Sequence, residues 1–179
     1  YLGDMIEKTS YDQIYDEHVY IFSAMSIKNI FGKYGFELIN LLPQSTHGGS
    51  MRYILSKKGS YKAEKIVGEF LLKEKKMGLD SPKTYEKFRK NYEKSRNDLI
   101  KILEEEKKNN NRVVAYGATS KSTTILNYCK IGADLIEYIS DTTPIKQNKF
   151  SPGMHIPVKN YSNFIEAPPD TTILFAWHH

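Results

Sequence analysis

The phrase Arg112-Val113-Val114-Ala115-Tyr116, running directly into Gly117-Ala118-Thr119-Ser120-Lys121-Ser122, limits the fold of this 179-residue chain more than any other feature. A short apolar run of that kind reads as a buried strand, and the small residues after it as a tight turn feeding a helix. The helix is expected over residues 123–130, the next strand over 135–140 with Asp141 at its end, and a later apolar strand over 171–176. Strand, turn, helix and strand in that order predict an α/β fold with a parallel sheet of Rossmann-like connectivity.

The residues before it read differently. Residues 1–58 scan as helix, loop, helix, strand, strand. After Ser23, Met25, Ile27, Ile30, Phe31 and Tyr34 fall close to helical spacing, and Gly35 suits a helix stop. Residues 36–42 and 50–56 read as strands joined by a glycine-bearing loop, which predicts an antiparallel pair. A polar helical bridge follows over residues 59–80. From Ser81, as N-cap, with Pro82 at the first helical position, a long helix is expected. Tyr85, Phe88, Tyr92, Leu99, Ile102 and Leu103 trace its apolar face. It should end at Asn109-Asn110-Asn111, after about 40 Å.

Composition excludes several classes. One cysteine, Cys129, cannot make an internal disulfide, and His18, His47, His155, His178 and His179 lack zinc-finger spacing. No apolar run approaches the roughly 18 residues of a membrane span. Lys and Arg number 26 against 21 Asp and Glu, for a net charge of +5. Much of that excess alternates with Glu and Asn over residues 57–108, the pattern of a solvated face rather than a nucleic-acid footprint. A soluble, cytoplasmic protein with neither membrane nor nucleic-acid partners is expected. Because the chain opens on Tyr1 rather than Met, it is expected to be a piece of something longer.

Four places could carry chemistry. In Tyr11-Asp12-Gln13-Ile14-Tyr15-Asp16-Glu17-His18 a histidine stands among carboxylates and phenols, as a general base requires; an ordinary surface helix is the plainer alternative. In Thr46-His47-Gly48-Gly49-Ser50 paired glycines let amides approach a ligand, or simply turn the chain between strands. The turn from Tyr116 and Gly117 through Ala118, Thr119, Ser120 and Lys121 offers a helix N-terminus and a cation to an anion, or is purely structural. It is neither a dinucleotide fingerprint nor a P-loop. Finally, Asp141 at a strand end, with Lys146 and Gln147 after it, points at the usual ligand crevice of an α/β sheet, or else begins an ordered surface loop.

Taken together, Tyr-Asp-Gln-Ile-Tyr-Asp-Glu-His, Thr-His-Gly-Gly-Ser, Tyr-Gly-Ala-Thr-Ser-Lys, Leu-Asn-Tyr-Cys and Asp-Thr-Thr-Pro-Ile-Lys-Gln resemble the sugar C-methyltransferases from about Tyr11 to Trp177. Those enzymes move a methyl group from S-adenosylmethionine to carbon 3 of nucleotide-linked 4-keto-deoxysugars, usually dTDP-sugars. The resemblance implies that residues 1–58 end a class I methyltransferase domain with a helix and an antiparallel strand pair. It makes 59–110 a helical connection and 111–179 most of a Rossmann-like nucleotide-sugar-binding domain. It places the zinc-binding domain and the main S-adenosylmethionine motif outside this chain, so no metal is expected here. It assigns catalysis to Tyr15, Glu17 and His18, with His18 removing the proton α to the ketone. Substrate contacts are then expected from His47, Gly48, Gly49, Ser50, Tyr116, Gly117, Ala118, Thr119, Ser120, Lys121, Asp141, Lys146 and Gln147. The sequence departs from the family pattern at Asp16, where His is common, and at Ser122, where Gly is common.

Two other readings compete. One is a non-catalytic nucleotide-sugar-binding module that partners a separate methyltransferase. The other is an NAD-dependent oxidoreductase, encouraged by Asp141 lying 24 residues beyond Gly117 and opposed by the missing glycines. Sugar identity and oligomeric state are not legible.

Overall fold

The computed structural model describes residues 1–177 and divides into two compact units. The first comprises residues 1–11 and 18–91, the second residues 12–17 and 92–177. His178 and His179, weighed above as metal ligands, lie outside the described residues.

The first unit opens with helix α1 (Leu2–Lys8), followed by helix α2 (Ala24–Gly32) and strands β1 (Phe36–Gln44) and β2 (Ser50–Lys57). Helix α2 starts where expected because Ser23 and Ser26 close a reciprocal capping box. It stops at Gly32, earlier than Gly35, and Gly35 (φ +76°) instead turns the chain into β1. The strands pair antiparallel from Phe36↔Lys57 to Gln44↔Ser50, with a bulge between Leu38 and Asn40. That bulge breaks the two-residue alternation, so Leu38 and Leu41 both face inward and join Ala24, Ile27 and Val67 in one cluster. Val67 comes from helix α3 (Lys65–Met77), the expected polar bridge.

Helix α4 (Pro82–Lys108) begins at the predicted proline. Its residues to Asn91 belong to the first unit and those from Tyr92 to the second. The face it buries in the second unit is formed by Leu99, Ile100 and Leu103; Ile102, expected there, is 53% exposed.

The second unit carries β3 (Val113–Tyr116), α5 (Ser120–Cys129), β4 (Ile139–Asp141), β5 (Lys149–Phe150), β6 (Pro157–Asn160), α6 (Tyr161–Glu166) and β7 (Thr171–Leu174). Its sheet has the order β5-β6-β4-β3-β7. The pairs β3–β4, β3–β7 and β4–β6 are parallel, and β5 adds an antiparallel edge, so the sheet is mixed rather than wholly parallel. The chain steps outward from β3 to β4 to β6, then returns past all three to β7. The sheet therefore reverses its direction of growth between β3 and β7. Val113, Ala115, Ile139, Val158 and Phe175 pack with Leu126, Cys129, Ile131 and Ile136 in its core.

Boundaries differ from expectation for local reasons. Helix α5 starts at Ser120, three residues early, because Thr119 caps it and Ser122 returns the bond. A turn at residues 133–135, in which Leu135 N–H donates to the Gly132 carbonyl, and irregular chain over 136–138 leave only the end of the expected strand as β4. The stretch after Asp141, read as a loop, contains β5 and β6.

Candidate functional site

In a parallel sheet the carboxyl ends of the strands, at the point where growth reverses, are where backbone leaves room for a ligand. Here those ends are Tyr116-Gly117 of β3 and Phe175-Ala176-Trp177 after β7. Gly117 is required: its φ is +96°, and a Cβ there would stand 2.9 Å from the Ala176 Cβ. Its amide donates to the Ser140 carbonyl, and Phe175 N–H donates to Tyr116 O at 3.0 Å, so three strand ends are tied around one turn. The Tyr116 ring is held edge-on by Tyr161 and Phe164.

Helix α5 then begins with Ser120 and Lys121, in a first turn whose amides have no intrahelical partner. Ser122 is spent on the cap, accepting from Thr119 N–H and donating to Thr119 O; a glycine could do neither. Lys121 is only 4% exposed, and among the described residues its Nζ makes no hydrogen bond. The ammonium lies 5.5 Å from the centre of the Trp177 ring. Burial lowers its pKa, against the opposing charge of Asp12. A buried, unsatisfied cation at a helix N-terminus is suited to a bound anion.

The carboxylate of Asp141, 6% exposed, closes the other side of the turn. It accepts from Ala118 N–H at 2.7 Å and Thr143 N–H at 2.8 Å, and Lys146 Nζ lies 3.4 Å away. Burial acts to raise its pKa, but the Thr143 and Ala118 hydrogen bonds and the Lys146 charge outweigh it and hold the group below the ordinary carboxylate range. Gln147 Nε2 donates to the Asp141 carbonyl. Asp141 is therefore committed to its own loop rather than offered to a ribose hydroxyl. Between this loop and α5 lies a cavity of about 350 Å³ lined by Thr119, Ser122, Lys146, Lys149 and Phe150.

The tyrosine-rich phrase is not a surface helix. A 3-10 turn at Tyr11–Gln13 leads into irregular chain. Residues 12–17 pack in the second unit, where Asp12 accepts from the Trp177 indole N–H at 3.3 Å and the Ile14 carbonyl accepts from the Thr124 hydroxyl at 3.2 Å. Tyr15 is half-buried, and burial, with the charges of Glu17 and Asp12, raises its pKa, so its phenol stays a hydrogen-bond donor. Glu17 is exposed, and half-buried His18 belongs to the first unit.

The turn bearing His47, Gly48, Gly49 and Ser50 also lies in the first unit. His47, Gly48 and Gly49 all have positive φ, at 55°, 83° and 139°. The Gly48 carbonyl accepts from Lys8, and the place of a Gly49 Cβ is taken by the Asp4 side chain. That turn is packed against α1.

Reading the sequence missed Asp12 and Trp177 as parts of a site. The signal available was a single tryptophan directly after the last parallel strand. Among the described residues no group of three or more His, Cys, Asp or Glu could hold a metal, and no helix is long and apolar enough to cross a membrane.

The second unit is thus an α/β fold in which the carboxyl ends of parallel strands β3 and β7 meet the start of α5 and its buried Lys121. The family model for the C-methyltransferase C-terminal domain matches residues 45–179, and the chain belongs to that family. It is 28% identical over 180 aligned residues to C-methyltransferase NovU of Streptomyces niveus, an alignment covering all of this chain and 43% of that relative. The chain thus spans less than half the length of the curated relative it matches.

Proposed function

We propose that this chain is the C-terminal portion of an S-adenosylmethionine-dependent C-methyltransferase acting on carbon 3 of a nucleotide-linked 4-keto-deoxysugar, with a dTDP-sugar as the expected substrate. In this reading residues 1–58 end the methyltransferase domain, 59–110 connect, and 111–179 form a Rossmann-like nucleotide-sugar-binding domain. The observation that carries it is the buried Lys121 ammonium at the start of α5, where the sheet reverses, whose Nζ has no hydrogen-bond partner among the described residues. A diphosphate offers the hydrogen-bond acceptors that no described residue gives the Lys121 Nζ.

Catalysis is assigned to Tyr15, Glu17 and His18. His18 takes the proton on the carbon beside the ketone, and Glu17 orients or polarises the imidazole. Tyr15, kept protonated by its surroundings, donates a hydrogen bond to the oxygen on which enolate charge develops. General-base catalysis contributes about 10²–10⁴-fold, and one well-placed donor to the oxyanion about 3 kcal/mol. S-adenosylmethionine supplies the methyl group. The principal S-adenosylmethionine site and the zinc-binding domain that the resemblance implies are assigned to residues outside this chain. The occupied Asp141 carboxylate speaks against the NAD-dependent alternative.

Calorimetry with dTDP tests the reading. Saturable binding is expected, weakened at least about tenfold in Lys121→Met, a loss of some 1.4 kcal/mol, and unchanged in His18→Asn. Equal affinity in wild type and Lys121→Met would overturn it.

A further inference from the structure

One aromatic ring joins the proposed anion site to the segment that carries Tyr15 and Glu17. The Trp177 face lies under the Lys121 ammonium, 5.5 Å from the ring centre, while its N–H is held by Asp12 Oδ2 at 3.3 Å. Asp12 is itself buried, at 8% exposure. Burying a carboxylate and an ammonium near each other without a direct hydrogen bond is costly unless each balances the other's charge. The same short segment is tied to α5 through the Thr124 hydroxyl and the Ile14 carbonyl. Helix α5 therefore carries Lys121 in its first turn and holds the Tyr15 segment one turn later, at Thr124.

We propose that Asp12 is a positioning residue that stands in for the substrate's phosphate, neutralising Lys121 across the Trp177 ring until an anion takes its place. The inference rests on the anion site proposed above and adds a regulation of it. Two negative groups compete for one buried cation. When a diphosphate binds Lys121, Asp12 loses its counter-charge and the 12–17 segment settles afresh, so Tyr15 and Glu17 take up their working positions only with substrate present. Binding and positioning are then coupled, and the coupling is reciprocal. No bond is made or broken in this step, and no residue outside the second unit is needed for it.

The experiment uses the 179-residue chain and inorganic pyrophosphate, read by calorimetry and by emission from Trp177, the sole tryptophan. Hydrogen exchange is followed in peptides covering residues 12–17. Asp12→Asn keeps an acceptor for the indole and removes the charge. It should bind pyrophosphate at least about fivefold more tightly than wild type, the lower end of typical site-to-site coupling. The wild-type change in exchange over residues 12–17 on adding pyrophosphate should be absent in this variant. Trp177→Phe, which keeps a ring under Lys121 and removes the N–H, should abolish the same exchange response while still binding. A purely structural Asp12 predicts equal or weaker binding in Asp12→Asn. Equal or weaker binding, or an exchange response that persists in both variants, overturns the inference and leaves the anion site standing. Absence of saturable pyrophosphate binding in wild type overturns both.

Discussion

The carboxylate of Glu74, fully buried on α3, accepts the amide proton of Ala24 at 2.7 Å, 50 residues away in sequence. The Tyr1 phenol donates to that same oxygen at 3.0 Å, and the second oxygen takes the Met25 amide at 2.8 Å. A negative side chain thus sits on the positive end of α2, directly after the phrase that holds His18. Burial, reinforced by Glu74, drives the Tyr1 phenol far above its ordinary pKa and keeps it a donor.

Removing that carboxylate leaves the buried Ala24 amide, the part-buried Met25 amide and a phenol without their acceptor. Glu74→Ala should therefore cost about 3 kcal/mol or more in urea unfolding, and Glu74→Gln less, since the amide oxygen still accepts. A loss below about 1 kcal/mol in Glu74→Ala would show that the helix start does not depend on it.

Glycine matters where backbone approaches backbone. Gly117→Ala combines a φ of +96° with a Cβ 2.9 Å from Ala176, whereas Gly59→Ala meets nothing within 4 Å at φ +78°. The first should cost about 2 kcal/mol or more and the second about 1 kcal/mol. Thermal unfolding of the two variants side by side checks the ranking.

Asp141 makes stability depend on pH in a definite direction. Its folded pKa is depressed, so its contribution is complete above the unfolded value of about 3.9 and disappears as pH falls through the lower folded value. The wild type should lose stability between about pH 5 and pH 3 by more than Asp141→Asn does. Identical slopes in urea unfolding across that window would contradict the assignment.

Tyr15→Phe separates binding from chemistry. In the complete methyltransferase it should lower kcat by about 10²-fold, the effect of removing one oxyanion donor, with little change in KM for the nucleotide-sugar. A rise in KM with kcat intact would make Tyr15 a binding residue.

Much of this was legible in the sequence because local rules and tertiary need agree. Ser23 followed by a helical run, Pro82 opening α4, and an apolar strand entering a small-residue turn each name their own structure. Strands β5 and β6 were missed because they are short and polar in part, and β6 opens on Pro157, so the pairing of β6 with β4 and of β5 with β6, rather than propensity, makes them strands. The bulge near Ile39 hid which face of β1 is buried. In the site, Lys121 and Asp141 could be named from position alone. The neighbours of Lys121 could not: Asp12 and Trp177 lie 165 residues apart and meet only through the fold. The Thr46–Ser50 turn reads equally as a ligand loop and as packing, and only Asp4 against Gly49 reveals the latter.

The most direct test is solvent exchange at the reacting carbon. The complete enzyme in deuterium oxide, given a dTDP-4-keto-deoxysugar, should wash deuterium into carbon 3. His18→Asn should lose that exchange by at least about 10²-fold while binding dTDP as before. Exchange in His18→Asn at the wild-type rate would contradict the account.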